Sequence, residues 1–209
     1  MKQIIFLSFA VVALLCIFSG QVVAGECPFS LSLAGQVVPF TSGSAGSGDD
    51  VPDYNDAFET GFSIAMEGAY ALNPRFSILG GIGYEKHSGE IVEGISFDSL
   101  DVIPVYLGCK YFIAPVKKGW NPYLRADVGF AKFDSVDISY LGSSTEYWDS
   151  SWEFLADAGV GIEYTFGSLG VFAEIRVRYL GSPSSSLATY ADADSSWSTP
   201  VVLGVSLGF

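Results

Sequence analysis

His87, the one histidine in the 209-residue sequence, adjoins a hydroxyl nucleophile, Ser88. Such a pair serves acyl transfer when the imidazole takes the hydroxyl proton. Neighbours on a strand point to opposite faces, which works against a shared proton, so an exposed loop histidine without a catalytic role is the expectation. A single His also leaves too few ligands for a zinc-type centre. Two acidic stretches, "DDVPDYND" (49–56) and "DAD" (192–194), offer oxygen atoms to Ca²⁺ or Mg²⁺, but neither has the spacing of a calcium loop. They are read as a solvated negative surface to which divalent cations bind loosely. No enzyme activity and no cofactor is expected.

A second set of charged residues is spaced differently. Glu67, Glu85, Asp127, Asp157, Glu163 and Glu174, with Lys110, Arg125, Arg176 and Arg178, stand among small residues and alternate with apolar ones. On a strand they fall on the face opposite the apolar row. If that face is enclosed they must pair, because an isolated ion there is costly. The network expected is Glu67, Lys110, Arg125, Asp127, Asp157, Glu163, Glu174, Arg176 and Arg178. Glu85, and by the same reading Lys110, can instead sit at solvated strand ends.

The elements that position these charges are eight alternating segments: 29–40, 58–72, 76–86, 101–113, 121–133, 152–166, 171–180 and 200–209. Long connections (41–57, 87–100, 134–151, 181–198) alternate with short ones (73–75, 114–120, 167–170). Strands running up and down therefore place all long loops at one end, with the short turns and both termini at the other. The loops hold Asp49, Asp50, Asp53, Asp56, Glu90, Glu93, Asp98, Asp134, Asp137, Glu146, Asp149, Asp192 and Asp194; the turn end has Arg75, Lys117 and Lys118.

Which face is inside follows from the residues themselves. A soluble barrel would bury the apolar row and show water the other face, yet that face is Gly, Ser and Ala with few charges, unlike a soluble exterior. The reverse fits an eight-stranded barrel whose narrow lumen takes small and charged side chains while Leu, Val, Ile and Phe meet lipid. Aromatics near strand ends (Tyr70, Tyr111, Phe112, Trp120, Tyr123, Trp152, Tyr164, Phe166, Trp197) suit the two membrane interfaces. The fold class is all-β: an eight-stranded antiparallel up-and-down transmembrane β-barrel.

Composition agrees. Half the residues are hydrophobic and 15% aromatic, which excludes disorder, and a net charge of −13 argues against nucleic acid as a partner. Lys2 followed by the apolar run 4–18 and small residues Val22 and Ala24 reads as a cleaved signal peptide over 1–24, leaving one domain, 25–209. Of the cysteines that remain, Cys27 and Cys109 are expected to be unpaired.

The stretches "PVYLGCKYF" (104–112), "NPYLRADVGFAKF" (121–133) and the ending "VVLGVSLGF" resemble the small eight-stranded outer-membrane barrels of Gram-negative bacteria, the OmpA-like and OmpW-like group. The resemblance implies a monomer in the cell outer membrane with periplasmic termini and extracellular acidic loops. Its implied partners are outer-membrane lipid, lipopolysaccharide and the assembly machinery, for which terminal Phe209 is the signal. It also implies a choice of roles. A structural or surface-interaction barrel with a lumen closed by polar side chains comes first, a narrow OmpW-type channel for small solutes or hydrophobic ligands second, and a lipid A-modifying enzyme a distant third.

Overall fold

A computed structural model describes residues 28–46, 51–183 and 193–208; the leader 1–24, Cys27, Asp49, Asp50, Asp192 and Phe209 lie outside them. In chain order the elements are β1 (Phe29–Val38), β2 (Phe40–Ser42), α1 (Tyr54–Ala57), β3 (Gly61–Asn73), β4 (Phe76–His87), β5 (Ile91–Val92), β6 (Ile95–Phe97) and β7 (Leu100–Phe112). They continue with β8 (Gly119–Phe133), β9 (Val136–Tyr140), β10 (Ser143–Trp148), β11 (Ser151–Phe166), β12 (Leu169–Leu180), β13 (Ser196–Ser198) and β14 (Val201–Gly208).

Eight of these close into a barrel. β1, β3, β4, β7, β8, β11, β12 and β14 each pair antiparallel with the next, and β14 returns to β1 with Ser30 opposite Gly208 and Val37 opposite Val201. Closure leaves neither the first nor the last strand with an open edge. Pro39 and Pro200, which lack an N–H, interrupt β1 and β14 near the loop end; beyond them β2 and β13 pair with each other, and β13 with the end of β12.

The apolar row faces outward on every barrel strand: Leu33, Ile64, Ile82, Leu107, Val128, Val160, Val177 and Leu203 are all exposed. Ser32, Ala34, Glu67, Arg125, Asp157 and Arg176 point inward and are buried. This inversion of the soluble pattern is what a lipid-facing barrel requires. Trp120, Tyr70, Tyr111, Phe166, Trp152 and Trp197 also face outward. Phe112 and Tyr123 do not. They share the parity of Lys110 and Arg125 and lie in the interior, so they are not interface aromatics.

The long loops are not merely solvated connections. Loop segments β5, β6, β9 and β10 form a separate four-stranded sheet in the order β10-β9-β6-β5. Under that sheet, apolar loop residues pack onto the barrel mouth at Leu100, Val102, Ala131, Phe133, Leu155 and Leu180.

Candidate functional site

The inward charges meet in one lattice, and register decides how. Lys110 and Arg125 are cross-strand neighbours, as are Asp127 and Asp157, so like charges stand side by side along the walls. Each has an ion-pair partner of opposite sign, across the lumen or beside it. Arg125 makes a two-pronged contact with Glu67 on β3, 2.6 and 2.9 Å, while its Nε donates to Asp127 Oδ2 at 2.6 Å. It also reaches Glu174 Oε1 at 3.3 Å. Arg176 pairs with Glu174 and reaches Glu67 at 3.5 Å and Asp157 at 3.8 Å. Arg178 donates to Asp157 (2.9 and 3.1 Å) and to Glu85 Oε2 (2.7 Å). Such planar, forked contacts are the strong form of ion pair.

Lys110 is also buried. Its ammonium lies 3.3 Å from Glu174 and over the rings of Phe172 and Tyr123, at 4.7 and 4.9 Å. Tyr106 and Tyr123 donate to Glu67 (2.7 Å) and Glu174 (2.5 Å). Their rings can lie flat across the neighbouring strand because the residues directly opposite are Gly81 and Gly161. A Cβ at Gly81 would sit 2.6 Å from the Tyr106 ring, and one at Gly161 2.5 Å from that of Tyr123. Glycine on the inward face is thus the space that large inward side chains occupy.

Of the nine residues expected in the network, eight meet in it. Glu163 is the exception: half-buried toward the turn end, it accepts from Ser206 at 2.8 Å and forms no ion pair with a described residue. Glu85 and Lys110, read as solvated strand ends, are instead inside: Glu85 because β4 runs on beneath the loops, and Lys110, near the turn end of β7, because Glu174, Tyr123 and Phe172 enclose it.

His87 is likewise not an exposed loop residue. It is the last residue of β4 and has no solvent exposure. Its Nε2 lies 2.9 Å from Glu85 Oε1, its Nδ1 3.1 Å from the Glu59 carbonyl oxygen, and its ring stacks on Phe40 at 4.4 Å. Both ring nitrogens are engaged, leaving none for Ser88. A Cβ on Gly61 would fall 2.4 Å from the imidazole, so the strand opposite is shaped to admit it. Through His87, the charged lattice is joined to what lies above it.

Above it is an aromatic cap. Tyr54 and Phe58, in and just after α1, meet Trp148 of β10 at ring distances of 5.5 and 5.6 Å. Phe97 of β6 meets Phe58 edge-on at 5.8 Å, Tyr147 does the same to Phe97, and Phe40 closes on Tyr54 at 5.0 Å. Offset and edge-on contacts at these distances are the favoured aromatic geometries. Burial, with Asp194 nearby, holds the Tyr54 hydroxyl above its ordinary pKa of 10.0, and burial does the same to Tyr147. The acidic side chains that suggested cation binding form no cluster of metal-ligand geometry among the described residues. Cys109 is a free thiol.

A search of curated proteins by sequence gives no match. By structure, the chain is similar to Neisserial surface protein A (17% identity, 88% of this chain and 99% of that one, TM-score 0.55). It is also similar to Ail, the attachment invasion locus protein of Yersinia pestis (14%, 88% and 100%, TM-score 0.52), and to OprG from Pseudomonas aeruginosa (12%, 90% and 99%, TM-score 0.53). At these identities the likeness is one of fold. The model of the outer membrane protein beta-barrel domain matches residues 10–209. This chain therefore belongs to the outer membrane protein beta-barrel family and is a protein of the outer membrane.

Proposed function

We propose that this barrel does not conduct, and that it serves a structural or surface-interaction role by holding a folded loop module above the membrane. The observation that carries the reading is that side chains span the interior at two levels, first the Arg125–Glu67 and Arg178–Glu85 pairs and then the Trp148-centred cap. Eight strands leave little more than side-chain room to begin with. Ail, which has the same fold, is named for attachment and invasion, a role at a surface. Single-channel recording in planar bilayers tests the reading: purified protein should give no discrete conductance. Reproducible unitary steps would replace it with a narrow channel for small solutes or hydrophobic ligands.

The same reading has the long acidic loops outside the cell and the short turns and termini in the periplasm, which the asymmetry of connection lengths supports. Cleavage before Gly25, recognition of Phe209 by the assembly machinery, and contact of the acidic loops with lipopolysaccharide through divalent cations complete it. A membrane-impermeant maleimide applied to intact cells should label Leu141→Cys and leave Lys118→Cys unlabelled; the opposite pattern would reverse the orientation.

A further inference from the structure

We propose that strand β10 is a docking edge for an extended, basic peptide, which joins the loop sheet as an added strand. The inference rests on the surface-interaction reading and gives that surface a place and a partner chemistry. β10 ends the sheet order β10-β9-β6-β5, and its first four residues, Ser143–Glu146, are exposed. The hairpin that delivers it turns through Leu141 (φ 49°) and Gly142 (φ 82°), the two-residue form whose twist suits paired strands. Its closing pair, Tyr140 and Ser143, exchanges hydrogen bonds, and alternation makes Ile138 and Thr145 the next such pair. Ser144 and Glu146 therefore turn their N–H and C=O groups away from β9, toward a side where no described strand lies. An open edge of this kind is a template for strand addition.

Charge selects the occupant. Asp137 and Glu146 are directly opposite one another on β9 and β10, and Asp98 at the end of β6 donates its N–H to the Asp137 carbonyl at 2.9 Å. The three exposed carboxylates form a row across one face of the sheet. Like charges directly opposite are unfavourable. The lysines at this end offer no relief, since Lys86 and Lys132 contact Asp101 and Asp134. A residue opposite Glu146 on an incoming strand would extend the row, so Lys or Arg there neutralises it. The next residue would fall beside Thr145, on the face that carries Ile138, Ile95 and Val92 toward the cap, where a β-branched side chain fits. The partner sequence is therefore basic and β-branched in alternation. At the hairpin tip Leu141 adds an apolar contact: it is 89% exposed and keeps a left-handed backbone that Gly or Asn would adopt with less strain.

The test uses the full chain in lipid nanodiscs and three blocked hexapeptides: alternating Lys-Val, the same peptide N-methylated at every residue, and alternating Glu-Val. The Lys-Val peptide should bind, and N-methylation or the Glu-Val exchange should each weaken it at least about tenfold. Ser144→Pro, which removes an outward N–H without touching the β9 ladder or any charge, should weaken it by a similar factor. The double variant Asp137→Asn with Glu146→Gln should do so through the carboxylate row. Retained heat-modifiable gel migration shows that each variant folds. Equal binding of the parent and N-methylated peptides, or no binding of the Lys-Val peptide, overturns the docking edge. Either result leaves the non-conducting barrel intact, since that reading fails only on conductance.

Discussion

In mid-barrel, Lys110, Arg125, Arg176 and Arg178 face Glu67, Glu85, Asp127, Asp157 and Glu174 from walls whose register fixes every side chain; at the loop end, six aromatic rings converge from four separate stretches of chain. Both regions occupy the same tube. The lattice is held by partners that cannot be removed singly without stranding a charge in a buried place. The cap is held by apolar area and ring packing, which diminish by degrees. One region is thus part of the barrel wall's own cooperativity, and the other is a module resting on it. His87, bonded below to Glu85 and above to the Glu59 carbonyl, is the joint between them.

The sharpest way to break this comparison is Arg125→Met. Loss of the guanidinium strands Asp127 and takes from Glu67 its two-pronged partner, so the variant should lose about 4 kcal/mol from the whole barrel. Urea unfolding in bilayers, followed by heat-modifiable migration, measures it. If the loss is confined to the loops, the lattice is not integral to the wall.

Trp148→Ala asks the reverse question. It removes the ring at the centre of the cap, contacted by Tyr54, Phe58 and Tyr147, and should cost about 3 kcal/mol locally. Protease cleavage of the loops should accelerate while the barrel's unfolding midpoint stays in place, as expected of separately opening units. A common shift of both would make cap and barrel one cooperative unit.

The two regions also differ in how far they can be read from the sequence. The lattice is legible because a two-residue period sorts every strand position onto a face, and a charge among Gly, Ser and Ala stands out there; Arg125, Asp127, Arg176 and Arg178 follow from parity alone. Glu85 and His87 escape such reading because "EKHSGE" looks like a strand running out into solvent, and only the tertiary arrangement puts a roof over it. The roof has no period at all. Phe97 and Trp148 are about 50 residues apart in loops that look acidic and polar, Phe58 reads as the outward first residue of segment 58–72 although it lies buried before β3, and nothing local says that the three meet. Glu163 shows the converse limit: the correct parity places it inward, but its depth along the barrel, not its face, decides that it meets Ser206 rather than an arginine.

The smallest effect separates the regions by pH. Tyr54 donates to the Asp194 carbonyl at 3.3 Å in the cap, and burial there raises its pKa above the ordinary 10.0. Once the cap opens, the phenol titrates normally. The closed form therefore binds more protons above pH 10, and stability that is complete below that pH is lost as pH rises through it. At one unit above, the loss is about 1.4 kcal/mol. Loop protease sensitivity should rise between pH 10 and 11 in the parent, and Tyr54→Phe should remove most of that rise, with the raised Tyr147 supplying the remainder. The rise should appear in the loops while the barrel's heat-modifiable migration holds. An unchanged slope in Tyr54→Phe would mean that the cap's alkaline sensitivity comes from elsewhere, and that the module rests on the barrel by contacts other than this phenol's.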